Sequence, residues 1–422
     1  MEKIYVHISE SYQQDSFSQI YKSAFKDLYR KNQIKTFLYY IYKTNEEIVE
    51  EKDWIRYIGK KNEKEMKQSI IQISSEFEII FINTFSEKYI DFVHSVKKEL
   101  WHPYTKTYKL FRDKSLQREL LEKYDPKLTI QYKKIKGEKE ELGVIVESLW
   151  YPFIIKPVSW IQSAGVSIIE NESDYVTYLK NESLLQRNFE NRGYNTSQLI
   201  VEEYIDGSMY SIDYFVNAQW KIIYSPPVQV KIGKDIGIND FMNYVRTFSQ
   251  NQSHYPSEQE LHSYFWDCVN ALGLCNTFIH HEFKYTSKWK LKTIEVNGRI
   301  GWYRLEMIQE SFNFNWLSVI TSRKFTPIIK YNFSIFLIYA PRRGIFEKFE
   351  EKYIESIKKL PSLYRYKILE DFVGKEIGLT KDGFTKVAII KIKHSNLLQF
   401  EKDFFFLEEN YKDFLVLKNI TD

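Results

Sequence analysis

Along the first hundred residues, short apolar runs alternate with segments whose apolar positions recur every three or four residues. Ile4–His7, Thr36–Tyr42 and Ile79–Asn83 read as buried strands; Phe17–Tyr29 and Glu63–Ser75 read as amphipathic helices. That rhythm predicts a small open parallel sheet with helices on its faces. No Gly-x-Gly-x-x-Gly run follows a strand, so no dinucleotide site is implied there. Tyr108–Tyr124 has helical spacing, with Leu116, Leu120, Leu121 and Tyr124 on one side and Pro126 closing it. Lys133–Glu141 reads as a charged, solvated turn. Strands are expected at Phe153–Ile155 running into Lys156-Pro157, at Val166–Ile169, and at Leu199–Ile205 running into Asp206-Gly207. Ser211–Tyr224 reads as a hairpin. Lys231–Tyr255 is long, polar and rich in Gly and Asn, a composition that suits an active-site lid. Glu258–Leu272 is expected as a helix stopped by Gly273, followed by strands Phe278–Tyr285 and Leu291–Val296. The last ninety residues mix strands (Phe333–Tyr339, Val387–Ile392) with helices (Glu347–Lys358, Leu397–Asn410). The expected fold class is α/β and α+β multidomain, with an open parallel α/β part at 1–107, a second part at 108–330 and a small α+β cap at 331–422.

Composition narrows this picture. A chain of 422 residues is too long for one compact core. With 43% hydrophobic and 27% charged residues, a folded soluble protein is expected rather than a disordered one. The 60 basic and 56 acidic residues are interleaved along the chain, so no nucleic-acid arm is implied. The longest apolar stretch, near Ile335–Ala340, is far shorter than the ~20 residues of a membrane span. The start at Met1 runs straight into a strand, without a signal-peptide core. Cys268 and Cys275 read as small apolar groups in a reducing compartment. A cytoplasmic location follows as the expectation, with no nucleic acid or membrane among the partners.

The strongest chemical signal is the strand pair around Glu282 and Glu295. Side chains alternate along a strand, so Glu295 and Asn297 share one face, with Ile294 and Val296 on the other. His280, Glu282 and Lys284 share a face of the neighbouring strand. A hairpin turning at Ser287–Trp289 brings Glu282 close to opposite Glu295. Two like charges facing each other across a ladder repel. A divalent cation between them removes the penalty, and two carboxylates with an amide oxygen are the hard ligands Mg²⁺ takes. Arg299 follows two residues after Asn297, and its guanidinium can fork onto a phosphate or carboxylate. A solvated sheet face, on which acids are common, would account for either glutamate alone. The second signal is Lys156 at the end of a buried strand, followed by Gln162-Ser163-Ala164-Gly165-Val166, a loop whose N–H groups can wrap phosphate oxygens. Ile200–Gly207, with paired acids Glu202 and Glu203, is ordinary by itself, as is Lys114.

Their order along the chain resembles the ATP-grasp superfamily, most nearly the branch holding biotin carboxylase and the bacterial L-amino acid ligases. Asp113-Lys114 to Leu121 is similar to that family's "DK…R…L" segment, and Phe153–Val166 to its phosphate loop in spacing. Ala271–Leu274 through His281-Glu282-Phe283 to Glu295-Val296-Asn297-Gly298-Arg299 resembles its "ALGL…HxEf…iEiNxRxGG" signature. The resemblance covers roughly Tyr108 to Trp316, and more weakly the segment from Ala340. It implies an ATP-grasp fold behind an N-terminal pre-ATP-grasp domain. It implies that Lys114 and Lys156 hold ATP phosphates, with Ser163, Gly165 and Val166 in the loop. Glu202 would accept from the adenine amino group, while the segment Glu203-Tyr204-Ile205 would meet the adenine edge. Glu282, Glu295 and Asn297 would carry one or two Mg²⁺ ions, with Mn²⁺ as an alternative. Arg299 would stabilise the transferred phosphoryl group. The implied activity is ATP-dependent joining of a carboxylate to an amine through an acyl phosphate, with two amino acids as first choice of substrates. Loading an amino acid onto a carrier-protein thiol, or nucleotide binding with little turnover, are the alternatives, and a homodimer is a further expectation. Three positions depart from the family pattern. Trp160, Ile161 and Gln162 replace loop glycines, Met209 stands where many members have an acid, and Trp302 replaces the second glycine after Arg299.

Overall fold

The computed structural model describes residues 1–10, 15–41, 49–159, 165–180, 198–238, 242–249, 256–288, 290–322, 324–378 and 385–420. The N-terminal sheet runs in the order Val49–Lys52, Ile55–Lys60, Lys35–Ile41, Lys3–Ser9, Glu78–Thr84. All its pairings are parallel except that of the edge strand Val49–Lys52. Its central strands are apolar on both faces, as a doubly covered parallel sheet requires. Tyr5, Leu38 and Phe81 enter one core, and Ile4, Val6 and Ile82 enter the other, among helix residues such as Met66 and Val93.

Two antiparallel sheets follow. The smaller has four strands, in the order Tyr132–Ile135, Leu199–Glu203, Phe153–Pro157, Ser167–Ile169. Ile145 and Leu149, from helix Leu142–Leu149, pack on its buried Phe153, Ile155 and Val201. The larger sheet has nine strands. Its path is Leu291–Asn297, Thr277–Tyr285, Ser208–Val216, Val228–Ile232, Asn243–Phe248, Asn332–Ile338, Ala388–His394, Leu363–Ile368, with Ile222–Tyr224 paired to Ser208–Val216. Helix Glu258–Leu272 is capped by Ser257 and ended by left-handed Gly273. A three-stranded sheet, Glu376–Ile377, Gly344–Phe349 and Leu415–Lys418, completes the fold. No helix among the described residues is long and apolar enough to cross a membrane.

Three expectations are corrected. Lys133–Glu141 is not all turn: Tyr132–Ile135 is a strand at the edge of the small sheet, and Lys139–Glu141 is a 3₁₀ turn. Lysines are what such an edge tolerates. The described part of Lys231–Tyr255 is no lid, since Asn243–Phe248 lies in the interior of the nine-stranded sheet. One of its polar residues, Thr247, is paired there, its hydroxyl 2.6 Å from that of Ser334. Residues 239–241 and 250–255 of that segment lie outside the described residues. The helix expected over Glu347–Lys358 begins only at Glu351, because Gly344–Phe349 is a strand whose register shift between Phe346 and Lys348 breaks the alternation.

The N-terminal sheet docks on the large one through Phe81, whose ring meets Phe215 at 5.4 Å and Phe278 at 5.7 Å. Buried Lys97 donates to the Asn276 carbonyl at 2.7 Å, and Asn315 donates to the Ala24 carbonyl at 2.7 Å. At the same junction His94 stacks on Tyr108 and Phe111, its Nδ1 buried and without a partner. Burial, helped by the Lys97 charge, holds His94 well below its ordinary value of 6.5. The unfolded chain therefore binds a proton that the native state refuses, and stability falls as pH drops below that value. His7 and His281, both lowered to about 3 by burial, act in the same direction. Replacing His94 with Phe keeps the stacking and removes the titration. The melting temperature of that variant is expected to fall less than the parent's between pH 7 and pH 5, and equal slopes by calorimetry would refute the assignment.

Candidate functional site

A cleft opens between the four-stranded sheet and one end of the nine-stranded sheet. Its charged lining comes from both sides: Lys156 and Glu202 from the small sheet, Glu282 and Glu295 from the large one, and Lys114 from a helix. Its apolar lining includes Ile130, Ile154, Val166 and Met209.

Each charge is placed by its element. Asp113 caps the helix Lys114–Tyr124 by accepting from the Leu116 N–H, which sets Lys114 at the first helical position. The Lys114 ammonium lies 2.8 Å from Glu295. One turn on, Arg118 is fully buried. Its Nε donates to Glu202 at 2.9 Å, and its other nitrogens donate to the Thr293 and Ile294 carbonyls at 2.8 and 2.7 Å. The other Glu202 oxygen accepts from Lys156 at 2.6 Å. Burial alone would push the Glu202 carboxyl up, but Arg118 and Lys156 outweigh it and hold it below the usual range. Burial brings the Lys156 ammonium down, against the pull of Glu202. Arg118 lies within the "DK…R…L" segment, four residues after Lys114, a spacing that puts both on one helix face.

The acidic hairpin has the register expected from its alternation: Glu282 faces Glu295 and His280 faces Asn297. One detail differs. The register shifts between Glu282 and Phe283, so Ile294 is an extra residue bulged out of the ladder. Ile294 therefore lines the cleft beside Glu295 rather than sharing the buried face of Val296. A third row member, Asp213, pairs in register with His280, and no motif around it marks it in the sequence. Its carboxylate is 2.6 Å from His280 Nδ1 and accepts from the Gly301 N–H at 3.1 Å. The other ring nitrogen of His280 faces Glu282 at 3.5 Å. Burial opposes a charge on the imidazole, yet Asp213 and Glu282 together raise it above its ordinary value. Burial likewise opposes a charge on Glu282, but His280, Arg246 and Arg299 bring it down to about 2.

Arg299 is buried and is held from the N-terminal domain. Its Nε donates to Glu87 at 3.0 Å, a second nitrogen reaches the same oxygen, and the third donates to the Ile300 carbonyl at 3.0 Å. Glu87 lies 212 positions away, and nothing in its neighbourhood marks it in the sequence. Trp302 sits under the guanidinium at 5.9 Å. At the far end of the cleft, Lys284 donates to the Ile205 carbonyl at 2.8 Å, and the Glu203 side chain accepts from the Gln131 N–H. Tyr204 stands at the rim. Gly165 has a left-handed backbone, and its carbonyl accepts from Tyr178. Ser163 and the Trp160–Gln162 departure lie outside the described residues.

The cleft between the two antiparallel sheets thus brings two lysines, Lys156 from the small sheet and Lys114 from the helix, up to the acidic hairpin. Residues 149–304 match the family model for the ATP-grasp domain, so the chain carries an ATP-grasp domain. In sequence, 181 residues are 25% identical to D-alanine--D-alanine ligase of Wolbachia pipientis wMel, over 40% of this chain and 51% of that protein. The chain thus spans about half the length of the curated relative it matches. The L-amino acid ligase from Bacillus licheniformis has a similar structure over 99% of both chains, with a TM-score of 0.71 and 18% identity. The N5-carboxyaminoimidazole synthetase from Staphylococcus aureus, crystallised with ADP, matches over 96% of this chain and 97% of its own, with a TM-score of 0.63 and 13% identity. The biotin carboxylase domain of 2-oxoglutarate carboxylase from Hydrogenobacter thermophilus, crystallised with MgADP, ADP and bicarbonate, matches over 93% and 86%, with a TM-score of 0.60 and 15% identity. The fold is the mixed α/β multidomain arrangement of these structures.

Removing the Glu202 charge leaves Arg118 and Lys156 buried without their shared acid. Glu202→Gln is expected to cost about 3–5 kcal/mol of unfolding free energy. Urea denaturation checks it, and a loss under about 1 kcal/mol would mean the bridge carries little.

Proposed function

We propose that this protein is an ATP-dependent carboxylate–amine ligase acting on amino acids. The observation that carries the reading is the in-register pair Glu282 and Glu295, opening on a cleft that Lys114 and Lys156 also line. Two carboxylates facing each other cost free energy unless a cation comes between them. Among the described residues no three acidic, His or Cys side chains cluster into a closed metal site. A pair of carboxylates with Asn297 nearby instead fits an ion that draws its remaining ligands from phosphate oxygens and water, as Mg²⁺ does. Glu282, Glu295 and Asn297 would hold it, and bound there it would neutralise charge on the transferring phosphoryl group.

The residues then take these roles. Lys114 and Lys156 bind the phosphates, with Gly165, Val166 and Ser163 in the covering loop. Glu202 holds Lys156 in place, and one lone pair on each of its oxygens stays available to the adenine amino group. Glu203, Tyr204 and Ile205 meet the adenine edge. A substrate carboxylate oxygen attacks the γ-phosphorus, and the bond to the β-phosphate oxygen breaks, giving an acyl phosphate and ADP. An amine attacks the acyl carbon, phosphate leaves, and the amine loses its proton. Arg299, kept charged by Glu87, stabilises the negative charge on the phosphoryl oxygens. The similarity to an L-amino acid ligase over nearly the whole chain supports amino acids as the substrates.

Glu295→Gln removes one acid and leaves the ladder intact. In a screen of carboxylate and amine pairs, phosphate release by this variant is expected to fall at least about 100-fold. Equal rates for parent and variant would sink the assignment of these carboxylates. ADP formation by the parent without any amine-dependent product would instead indicate a kinase.

A further inference from the structure

Beyond the acids and lysines just described, the nine-stranded sheet carries a second charged group on the face of Glu282. Glu282 pairs with Ser211, Ser211 with Val228, and Val230 with Arg246. Paired residues, and residues two apart on a strand, share a face, so Arg246 and Glu282 lie on the same side of the sheet. Three strand spacings separate their backbones, roughly 14 Å, the span of a small substrate plus two side chains. Arg246 is half-buried, and its guanidinium lies 5.7 Å from the Tyr303 ring. Among the described residues no carboxylate lies within ion-pair distance of it; its recorded hydrogen bond is a long one, 3.4 Å, to the Asn243 carbonyl.

Lys386 has the same character. It is half-buried, no acid among the described residues pairs with it, and burial together with the Arg246 charge lowers its ammonium below the ordinary value. Two cations held near each other repel, and with no carboxylate among the described residues in ion-pair contact with either, that arrangement is costly unless a ligand completes it. The nearby lysine, Lys391, is by contrast neutralised by Glu306, with both oxygens at 2.6 Å. Three buried polar atoms close to the pair in sequence or space also lack partners among the described residues: Asn243 Oδ1, Thr385 Oγ1 and Arg304 Nε. The group adjoins the reaction centre: the Arg246 guanidinium lies over the ring of Tyr303, four residues after Arg299, and its charge acts on Glu282 together with that of Arg299.

We propose that Arg246 and Lys386 form a subsite for a second carboxylate, one that is not phosphorylated, carried by a substrate whose reacting group lies beside Arg299. The planar fork of an arginine matches a carboxylate, and a neighbouring lysine adds a point charge. This assignment rests on the ligase reading and narrows it: the enzyme selects substrates that keep a free carboxylate after amide formation. That carboxylate belongs either to an amino acid supplying the amine or to a dicarboxylic acid supplying the acyl group.

The test uses Arg246→Gln, Lys386→Gln, the double variant and the charge-preserving Arg246→Lys. Each is assayed for phosphate release with an amino acid and with its primary amide as amine, and with monocarboxylic and dicarboxylic acids as acyl donor. For the substrate that bears the extra carboxylate, KM is expected to rise about 10- to 100-fold in the Gln variants and to recover in part in Arg246→Lys. In Lys386→Gln, KM for the neutral counterpart and the dissociation constant for MgADP are expected to stay at parent values. A rise confined to the amino acid places the carboxylate on the amine, and a rise confined to dicarboxylic acids places it on the donor; both support the subsite. Equal changes for charged and neutral substrates, or no change, overturn it. Calorimetric titration of a free amino acid into the MgADP-bound protein separates the two levels. If the parent releases no phosphate with any pair, the ligase reading fails, while weakened amino acid binding in the Gln variants still supports the subsite and unchanged binding still overturns it.

Discussion

The Glu202 carboxylate is the point where the two halves of the cleft are tied together. One oxygen takes Lys156 from the strand beside it in the small sheet, and the other takes Arg118 from a helix packed against the large sheet. Arg118 in turn holds the carbonyls of Thr293 and Ile294, where the acidic hairpin bulges. A buried ion of either sign is expensive by itself, and here three share the cost through geometry that leaves none of them unpaired. The same contact thus sets the small-sheet lysine that lines the cleft and the strand that carries Glu295.

Charge balance on the far side of the cleft follows a related logic. Glu295 meets Lys114, Glu282 meets His280, and Arg299 meets Glu87. Each potential ligand or stabiliser is partnered by a group of opposite sign. On the reading proposed above, a polyanion arriving between the lysines would compete for Lys114 and free Glu295, which would link phosphate binding to exposure of the acid through one ion pair.

Much of this was legible in the sequence where local rules govern. Strand alternation and a short turn fix Glu282 opposite Glu295, and an Asp cap fixes Lys114 at a helix start. The N-terminal βαβ rhythm was legible because a doubly covered sheet leaves continuous apolar runs. What the sequence hid depends on distant partners. Arg118 and Glu202 are 84 positions apart, and Arg299 and Glu87 are 212 apart. The strand Asn243–Phe248 was hidden because Asn243, Arg246 and Thr247 interrupt its apolar residues, and a polar, Gly-containing segment precedes it and a polar segment follows it, so the stretch reads as a loop. The bulge at Ile294 was hidden because no glycine or proline marks it.

The strand order of the nine-stranded sheet also bears on how the chain is made. Asn243–Phe248 pairs on one side with Val228–Ile232, which precedes it closely, and on the other with Asn332–Ile338, some eighty positions further along. During synthesis from the N-terminus, that second neighbour is still inside or upstream of the ribosomal tunnel when Asn243–Phe248 emerges. A nascent chain therefore presents an unpaired strand beside a half-built nucleotide cleft until the final quarter of the polypeptide arrives. Arg246 and Thr247 put a charge and a hydroxyl on this strand, and a charge on an exposed strand disfavours its joining a neighbouring chain.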